Sequence, residues 1–133
     1  MAERVVVNVD GGARGNPGPA AIAAVASDPT GSVLESRGEA IGRATNNVAE
    51  YRALLLGIEL ARELGADEVE LVGDSELVVR QVKGEYRVKD AALRTLHDQV
   101  REALGEFDRW SIRHVRREQN AAADALVNET LDG

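Results

Sequence analysis

Residues 5–19, VVVNVDGGARGNPGP, decide how the rest of the chain is interpreted. The β-branched run at 5–9 predicts a strand that ends at Asp10. The glycines and prolines of residues 11–19 predict a loop. Residues 20–27 and 32–40 predict two further strands, separated by a turn at 28–31. Because both connections are short, we expect an antiparallel meander.

The period of the apolar residues changes after position 47. Apolar residues within 48–64 recur at helical spacing, and Gly65 indicates where this helix ends. A short strand ending at Asp74 follows, and the remaining pattern predicts helices at 77–82, 91–104 and 120–131 with a strand through Trp110 and Ile112. This order predicts a mixed α/β sheet covered by helices, in one domain that spans residues 1–133.

Composition limits the chemistry and the location of the protein. The chain has no cysteine, which excludes disulfides and thiolate zinc sites. No apolar run approaches the roughly 18 residues of a membrane helix, and the N-terminus lacks a signal-peptide pattern. We therefore expect a cytoplasmic, monomeric protein without a membrane partner.

The formal net charge of −7 argues against a polyanionic partner when it is taken alone. Acidic residues that hold divalent cations would remove part of this objection, because the metal cancels their charge locally. The basic residues are also unevenly distributed, since four arginines fall close together at positions 109, 113, 116 and 117.

Four acidic residues stand at the ends of predicted elements. Asp10 and Asp74 end strands, whereas Glu50 and Asp124 fall in the first turns of helices. Ends of this kind are where an α/β sheet gathers its functional groups. If the first and fourth strands are neighbours, Asp10 and Asp74 lie side by side.

Each acid also has an ordinary local explanation. Asp10 before two glycines is a typical turn residue, and Asp74 could cap the helix that follows it. Glu50 could complete a capping box with Asn47, and Asp124 could be a solvated acid that interacts with a helix dipole. The residues alone therefore predict only a candidate acidic site.

The neighbouring loops favour a nucleic-acid substrate. Asn46 and Asn47 precede the helix of Glu50, and the glycine-rich segment follows Asp10. Backbone N–H groups and amide side chains suit phosphate and hydroxyl oxygens. A Walker phosphate loop is excluded because no Gly-Lys-Ser/Thr follows, and a dinucleotide fingerprint fails because the loop leads to a strand.

Four segments of the chain resemble the signature segments of type 1 ribonucleases H, in the family's order and spacing. They are residues 10–19 (DGGARGNPGP), 45–50 (TNNVAE), 73–75 (GDS) and 120–124 (NAAAD). The resemblance covers nearly the whole chain, and the short form is most similar to members from archaea and from actinobacterial fusion proteins.

The resemblance implies a ribonuclease H-like fold, with a five-stranded mixed sheet in the order 3-2-1-4-5 flanked by helices. It implies an endoribonuclease that hydrolyses the RNA strand of RNA–DNA hybrids with two Mg²⁺ ions, for which Mn²⁺ can substitute. The implied catalytic and metal-binding residues are Asp10, Glu50, Asp74 and Asp124, of which Asp10 would bridge the two ions. The implied substrate contacts are Gly11, Asn16, Thr45, Asn46, Asn47 and Ser75.

The sequence also departs from the pattern of many bacterial members. Residues 84–89 are short and only modestly basic where those members carry a basic insertion, so we expect weaker hybrid binding. The segment before the last helix is too short for a mobile histidine loop, and we expect His114 and His97 to be structural. Whether Arg116 and Arg117 contact substrate or solvent stays open.

Three other functions compete with this interpretation. Another nuclease of the same superfold, such as a resolvase or an integrase-like domain, would use the same four acids, but the paired asparagines favour hybrid recognition. A binding module has no reason to gather four like charges. A phosphatase acting on small molecules is disfavoured because the chain has only two histidines.

Overall fold

The computed structural model describes residues 3–133, which form a mixed sheet in the order β3-β2-β1-β4-β5. The five strands are β1 (Arg4–Ala13), β2 (Gly18–Ser27), β3 (Val33–Ala44), β4 (Glu68–Gly73) and β5 (Arg109–His114). The helices are α1 (Asn46–Glu63), α2 (Glu76–Lys83), α3 (Ala91–Leu104) and α4 (Ala121–Asp132), with a 3-10 turn at Arg117–Asn120 before α4. The sheet order and the order of elements confirm the fold expected from the sequence.

β1 is the central strand of the sheet. It pairs antiparallel with β2 and parallel with β4, and the parallel register ends at Asn8 opposite Val72. Alternate residues of a strand point to opposite faces, and Val5, Val7 and Val9 are buried on the face covered by α1. Asn8 and Asp10 therefore point to the other face or to its edge.

Helices cover the two faces of the sheet unequally. α1, the longest helix, packs on β1 and β2, and α3 packs against α1. On the opposite face, α4 lies over β1, β2 and β3, where Val127 contacts the small side chains Ala21 and Ala23. Asp124 is thereby brought over the end of β1 that carries Asp10. Among the described residues no helix combines the length and the apolarity of a membrane span.

The predicted loop at residues 11–19 is wrong at both ends. β1 continues through Gly11 and Gly12 to Ala13, and β2 already begins at Gly18, so only residues 14–17 connect the two strands. Gly11 and Gly12 lie opposite Ile22 and Ala21 in the antiparallel ladder. The hydrogen bonds between strands involve only backbone groups. Pairing with β2 can therefore hold Gly11 and Gly12 in an extended conformation, although glycine has a low strand propensity.

Helix α1 begins at Asn46 and α2 at Glu76, whereas the sequence predicted starts at 48 and 77, and the local explanations of Glu50 and Asp74 as capping residues are wrong. Thr45 caps α1 by accepting from the backbone N–H of Val48 at 3.2 Å, so Glu50 follows the first turn and completes no capping box. Ser75, and not Asp74, caps α2 by accepting from the backbone N–H of Val78 at 3.3 Å. In both cases the side-chain hydroxyl of a neighbouring Thr or Ser caps the helix, so the carboxylates of Glu50 and Asp74 do not serve as caps.

At Gly11, α1 lies very close to β1. A Cβ built on Gly11 would overlap the carbonyl group of Ala49 and lie 2.7 Å from the backbone nitrogen of Glu50. Both obstacles are helix backbone, which cannot rotate away as a side chain can. Gly12 has room, because the nearest atom to a Cβ there is Val127 Cγ1 at 3.8 Å.

We predict that Gly11→Ala destabilises the protein by about 2 kcal/mol or more, since overpacking of this kind typically costs 1–3 kcal/mol. Gly12→Ala is the matched control and should change the free energy of unfolding by less than about 1 kcal/mol. Urea unfolding of both variants in chelator measures the difference. Equal stabilities for the two variants would show that α1 does not press on β1 at Gly11.

Candidate active site

Three carboxylates from three elements meet at one edge of the sheet. Asp10 lies on β1 just beyond its parallel pairing with β4, Asp74 directly follows β4, and Glu50 comes from α1. One oxygen from each lies within 4.8 Å of the others. The expected adjacency of Asp10 and Asp74 is therefore present, because the first and fourth strands are neighbours.

Backbone contacts fix the position of Glu50. Its Oε1 accepts a hydrogen bond of 2.7 Å from the backbone N–H of Gly11, the residue where α1 crosses β1. The close helix–strand crossing and the glycine that permits it thus place this carboxylate beside Asp10.

A buried amide supports Asp74. Asn120, which is 1 % exposed, donates through Nδ2 to the carbonyl of Val9 at 2.9 Å and to Asp74 Oδ2 at 3.3 Å. Its Oδ1 accepts from Asn8 Nδ2 at 3.0 Å. Neither asparagine was predicted as a site residue. The only sequence signal was a polar residue inside the valine run of β1 and another at the start of a signature segment.

Asp124 lies in the first turn of α4, as expected, and lines the same pocket, but it is not one of the three clustered carboxylates. Its Oδ1 instead accepts from Arg117 Nη2 at 3.1 Å. This hydrogen bond raises the pKa of Arg117, and the charges of Asp124, Asp10 and Asp74 add to the effect. The structure therefore places Arg117 at the rim of the site, which the sequence left open.

Burial and neighbouring charge raise the pKa values of two of the clustered acids. Asp10 is 7 % exposed, and its burial together with the charge of Asp74 raises its pKa from 3.8 to about 7. Burial and the charge of Asp10 likewise raise the pKa of Glu50 well above its usual value. Like charges that share a confined site cannot all ionise without a compensating cation.

The three clustered residues fit a hard divalent cation. Carboxylate oxygens are the ligands that such ions prefer, and three of them converge here from elements fixed by the sheet and α1. Neither histidine of the chain lines this pocket. His114 is exposed at the end of β5, and His97 Nε2 lies 2.9 Å from the carbonyl of Gln81, as a structural residue would.

An open pocket of about 430 Å³ surrounds the carboxylates. Of the predicted substrate contacts, Gly11, Asn46, Asn47 and Ser75 line it. Asn16 and Thr45 line an adjacent pocket of about 390 Å³, and Asn47 borders both. The structure thus brings the predicted contacts into two depressions that share Asn47, one of which contains the acids.

Hydrogen bonds fix two of these asparagine side chains. Asn46 Oδ1 accepts from the backbone N–H of Ala13 at 2.9 Å, and Asn16 Oδ1 accepts from the backbone N–H of Asn46 at 3.0 Å. The oxygens of both amides are therefore engaged by the protein. Their NH₂ groups are left as donors, which suits acceptor oxygens of a sugar-phosphate chain.

Comparison with known proteins identifies a family. Residues 8–130 match a family described as "Reverse transcriptase-like". The chain is 49 % identical to "Ribonuclease HI" of Halobacterium salinarum over 97 % of its length, and 45 % identical to "Bifunctional protein Rv2228c" of Mycobacterium tuberculosis over 97 %. It spans only 65 % of the first relative and 36 % of the second.

Solved structures agree with these relatives. The RNase H1 crystal structure from Halobacterium salinarum has a TM-score of 0.95 at 49 % identity, with 97 % of this chain and 98 % of that chain covered. LC11-RNase H1, solved in complex with an RNA/DNA hybrid, has a TM-score of 0.91 at 42 % identity, with 96 % of both chains covered.

The raised pKa of Asp10 predicts a pH-dependent stability of the metal-free protein. A carboxyl whose pKa rises on folding from 3.8 to about 7 binds its proton more tightly when folded, so the free energy of unfolding falls as the pH rises between these values. Asp10→Asn should remove this loss. The free energy of unfolding of Asp10→Asn, relative to that of the parent protein, should therefore rise as the pH increases from about 4 to about 7.

Urea unfolding in chelator from pH 4 to pH 8 measures this effect, with Asp108→Asn as the control at an exposed acid outside the pocket. The free energy of unfolding of Asp108→Asn should change with pH in the same way as that of the parent protein. A constant difference in the free energy of unfolding between Asp10→Asn and the parent across the whole range would contradict the raised pKa of Asp10.

Proposed function

Since this chain belongs to the ribonuclease HI family, we propose that it is an endoribonuclease that hydrolyses the RNA strand of RNA–DNA hybrids. The observation that carries the proposal is the cluster of Asp10, Glu50 and Asp74, whose oxygens lie within 4.8 Å of one another in a polar, open pocket. A phosphodiester bond that enters this pocket would meet acids suited to holding cations and amides suited to holding its sugar.

We propose two Mg²⁺ ions as the cofactor, with Mn²⁺ as a substitute, held by Asp10, Glu50, Asp74 and Asp124. When bound, such ions activate a water molecule and stabilise the charge that develops on the leaving oxygen. Burial and mutual repulsion raise the pKa values of Asp10 and Glu50, and this supports the proposal because a bound cation would stabilise their ionised forms.

Neighbouring groups hold the acidic side chains of the site in fixed positions. The backbone N–H of Gly11 holds Glu50, and Asn120 holds Asp74, so two acids are fixed before a cation or a substrate arrives. Asp124 is held by Arg117, which is 77 % exposed in its side chain and would bring a positive charge to the rim where phosphate approaches. Preorganisation of this kind lowers the cost of reaching the reactive geometry.

We assign recognition of the RNA strand to the asparagine side chains that line the two pockets. The NH₂ groups of Asn16 and Asn46, together with the side chain of Asn47, would contact 2′-hydroxyls and bases, and Gly11 and Ser75 would lie against the backbone. Thr45 would help to seat a phosphate of the DNA strand. The 2′-OH is the group that separates RNA from DNA at such a site. The hybrid-bound structure of LC11-RNase H1 supports the choice of substrate.

We propose that residues 1–133 act as one catalytic domain. The described residues share one main core, which contains side chains from β1, β2, α1, α2, α3, β4 and β5. The monomeric state and the cytoplasmic location expected from the sequence stay predictions.

We predict that Asp74→Asn abolishes hybrid cleavage by reducing the rate at least about 100-fold, the range seen when an electrostatic stabiliser is removed. Asp108→Asn should cut at the parent rate. Cleavage of a labelled hybrid in Mg²⁺ measures both, with circular dichroism to confirm the fold. Normal cleavage by Asp74→Asn would show that the acidic cluster is not the catalytic site.

We predict that Asn47→Ala weakens hybrid binding more than chemistry, because Asn47 borders both pockets but no carboxylate hydrogen bond depends on it. The KM for the hybrid should rise several-fold while kcat changes little. Steady-state kinetics on a short hybrid measure the two constants. An unchanged KM would remove Asn47 from the substrate contacts.

A further inference from the structure

Two amides lie in series behind Asp74. Asn8 Nδ2 donates to Asn120 Oδ1 at 3.0 Å, and Asn120 Nδ2 donates to Asp74 Oδ2 at 3.3 Å. The same Nδ2 donates to the carbonyl of Val9 at 2.9 Å. Asn8 is half-buried on β1, and Asn120 is buried at the start of α4, 112 positions away in the sequence.

The first amide fixes the orientation of the second. A primary amide has an acceptor end and a donor end, which a rotation of the side chain exchanges. If the Asn120 amide were reversed, its oxygen would face two further acceptors, Val9 O and Asp74 Oδ2. Its NH₂ would then face the NH₂ of Asn8. Asn8 therefore opposes the reversal, although its side-chain amide donates to Asn120 and not to Asp74.

We propose that Asn8 and Asn120 are positioning residues that hold Asp74 in its cation-binding orientation. One oxygen of Asp74 is held by Asn120, and the other is left for a ligand. The inference rests on the proposed function for its catalytic consequence, but its effect on cation affinity does not depend on the substrate.

The hydrogen bond from Asn120 counteracts the repulsion of Asp74 by Asp10 and Glu50. The oxygens of Asp10, Glu50 and Asp74 lie within 4.8 Å of one another, so without a cation Asp74 would gain by rotating away. The donor of Asn120 opposes that rotation. When it is removed, a cation must reorder Asp74 before it binds. Loss of a group that orients a metal ligand typically weakens affinity about 10–100-fold.

The test measures Mn²⁺ binding to the substrate-free protein by isothermal titration calorimetry. Asn120→Ala should raise the dissociation constant about tenfold or more, and Asn8→Ala should raise it several-fold. In the Asn120→Ala background, Asn8→Ala should have no further effect, because Asn8 acts only through Asn120. Additive losses, or an unchanged dissociation constant in Asn8→Ala, would overturn the proposal.

Gln81→Ala is the matched control. Gln81 is also a buried amide that joins separate parts of the chain, since its Oε1 accepts from the Tyr51 hydroxyl at 2.6 Å and its Nε2 donates to the carbonyl of Arg87 at 3.2 Å. It does not line the acidic pocket. Its replacement should lower the melting temperature and leave the Mn²⁺ dissociation constant unchanged. An equal loss of Mn²⁺ affinity in this control would assign the effect to general destabilisation.

Kinetics separate positioning from a merely structural role. Asn8→Ala should lower the rate at limiting Mg²⁺, recover most of it at high Mg²⁺, and keep the parent KM for the hybrid. A rate that high Mg²⁺ does not restore would overturn the proposal. If the parent protein binds Mn²⁺ but cuts no hybrid, the proposed function fails, and the calorimetric cycle still decides the roles of Asn8 and Asn120. If Asn120→Ala does not fold, the half-buried Asn8 carries the test by itself.

Discussion

Repulsion among Asp10, Glu50 and Asp74 is the constraint that the rest of the structure must overcome to hold the site together. Three carboxylates within 4.8 Å of one another would separate if each stood on a flexible segment. Each is instead carried by an element of the core: a central strand, a long helix packed on that strand, and the end of a parallel neighbour. The free energy of the core therefore opposes the repulsion, and a bound cation would relieve it.

The sequence predicted the strands of the sheet and the adjacency of Asp10 and Asp74 because these features have local signals. Valines at positions 5–9 define a strand, and a parallel neighbour that ends at Asp74 places two acids together. Resemblance to a family then supplied the sheet order, which the structure has. α3 was predicted with its observed bounds, and in the structure Asp90 caps its start and Gly105 follows its end.

Features that depend on distant partners could not be predicted in this way. Gly11 and Gly12 belong to β1 because Ile22 and Ala21 lie opposite them, and their own propensity indicates a loop. Thr45 and Ser75 take the capping roles that Glu50 and Asp74 could have filled. The pairing of Asn8 with Asn120 depends on where α4 begins relative to the sheet, and the pairing of Arg117 with Asp124 depends on how the 3-10 turn leads into α4. The sequence pattern predicted neither. Side-chain orientation at the site is therefore the part that required the structure.

The most direct test uses one labelled sequence prepared as RNA–DNA hybrid, duplex RNA, duplex DNA and single-stranded RNA, each with Mg²⁺, Mn²⁺ or chelator. We predict cleavage of the RNA strand of the hybrid only, and loss of this cleavage in chelator. Cleavage of duplex DNA would instead indicate another nuclease of the same superfold. The absence of cleavage with either metal would contradict the assignment of the carboxylate cluster to catalysis and would favour a binding module.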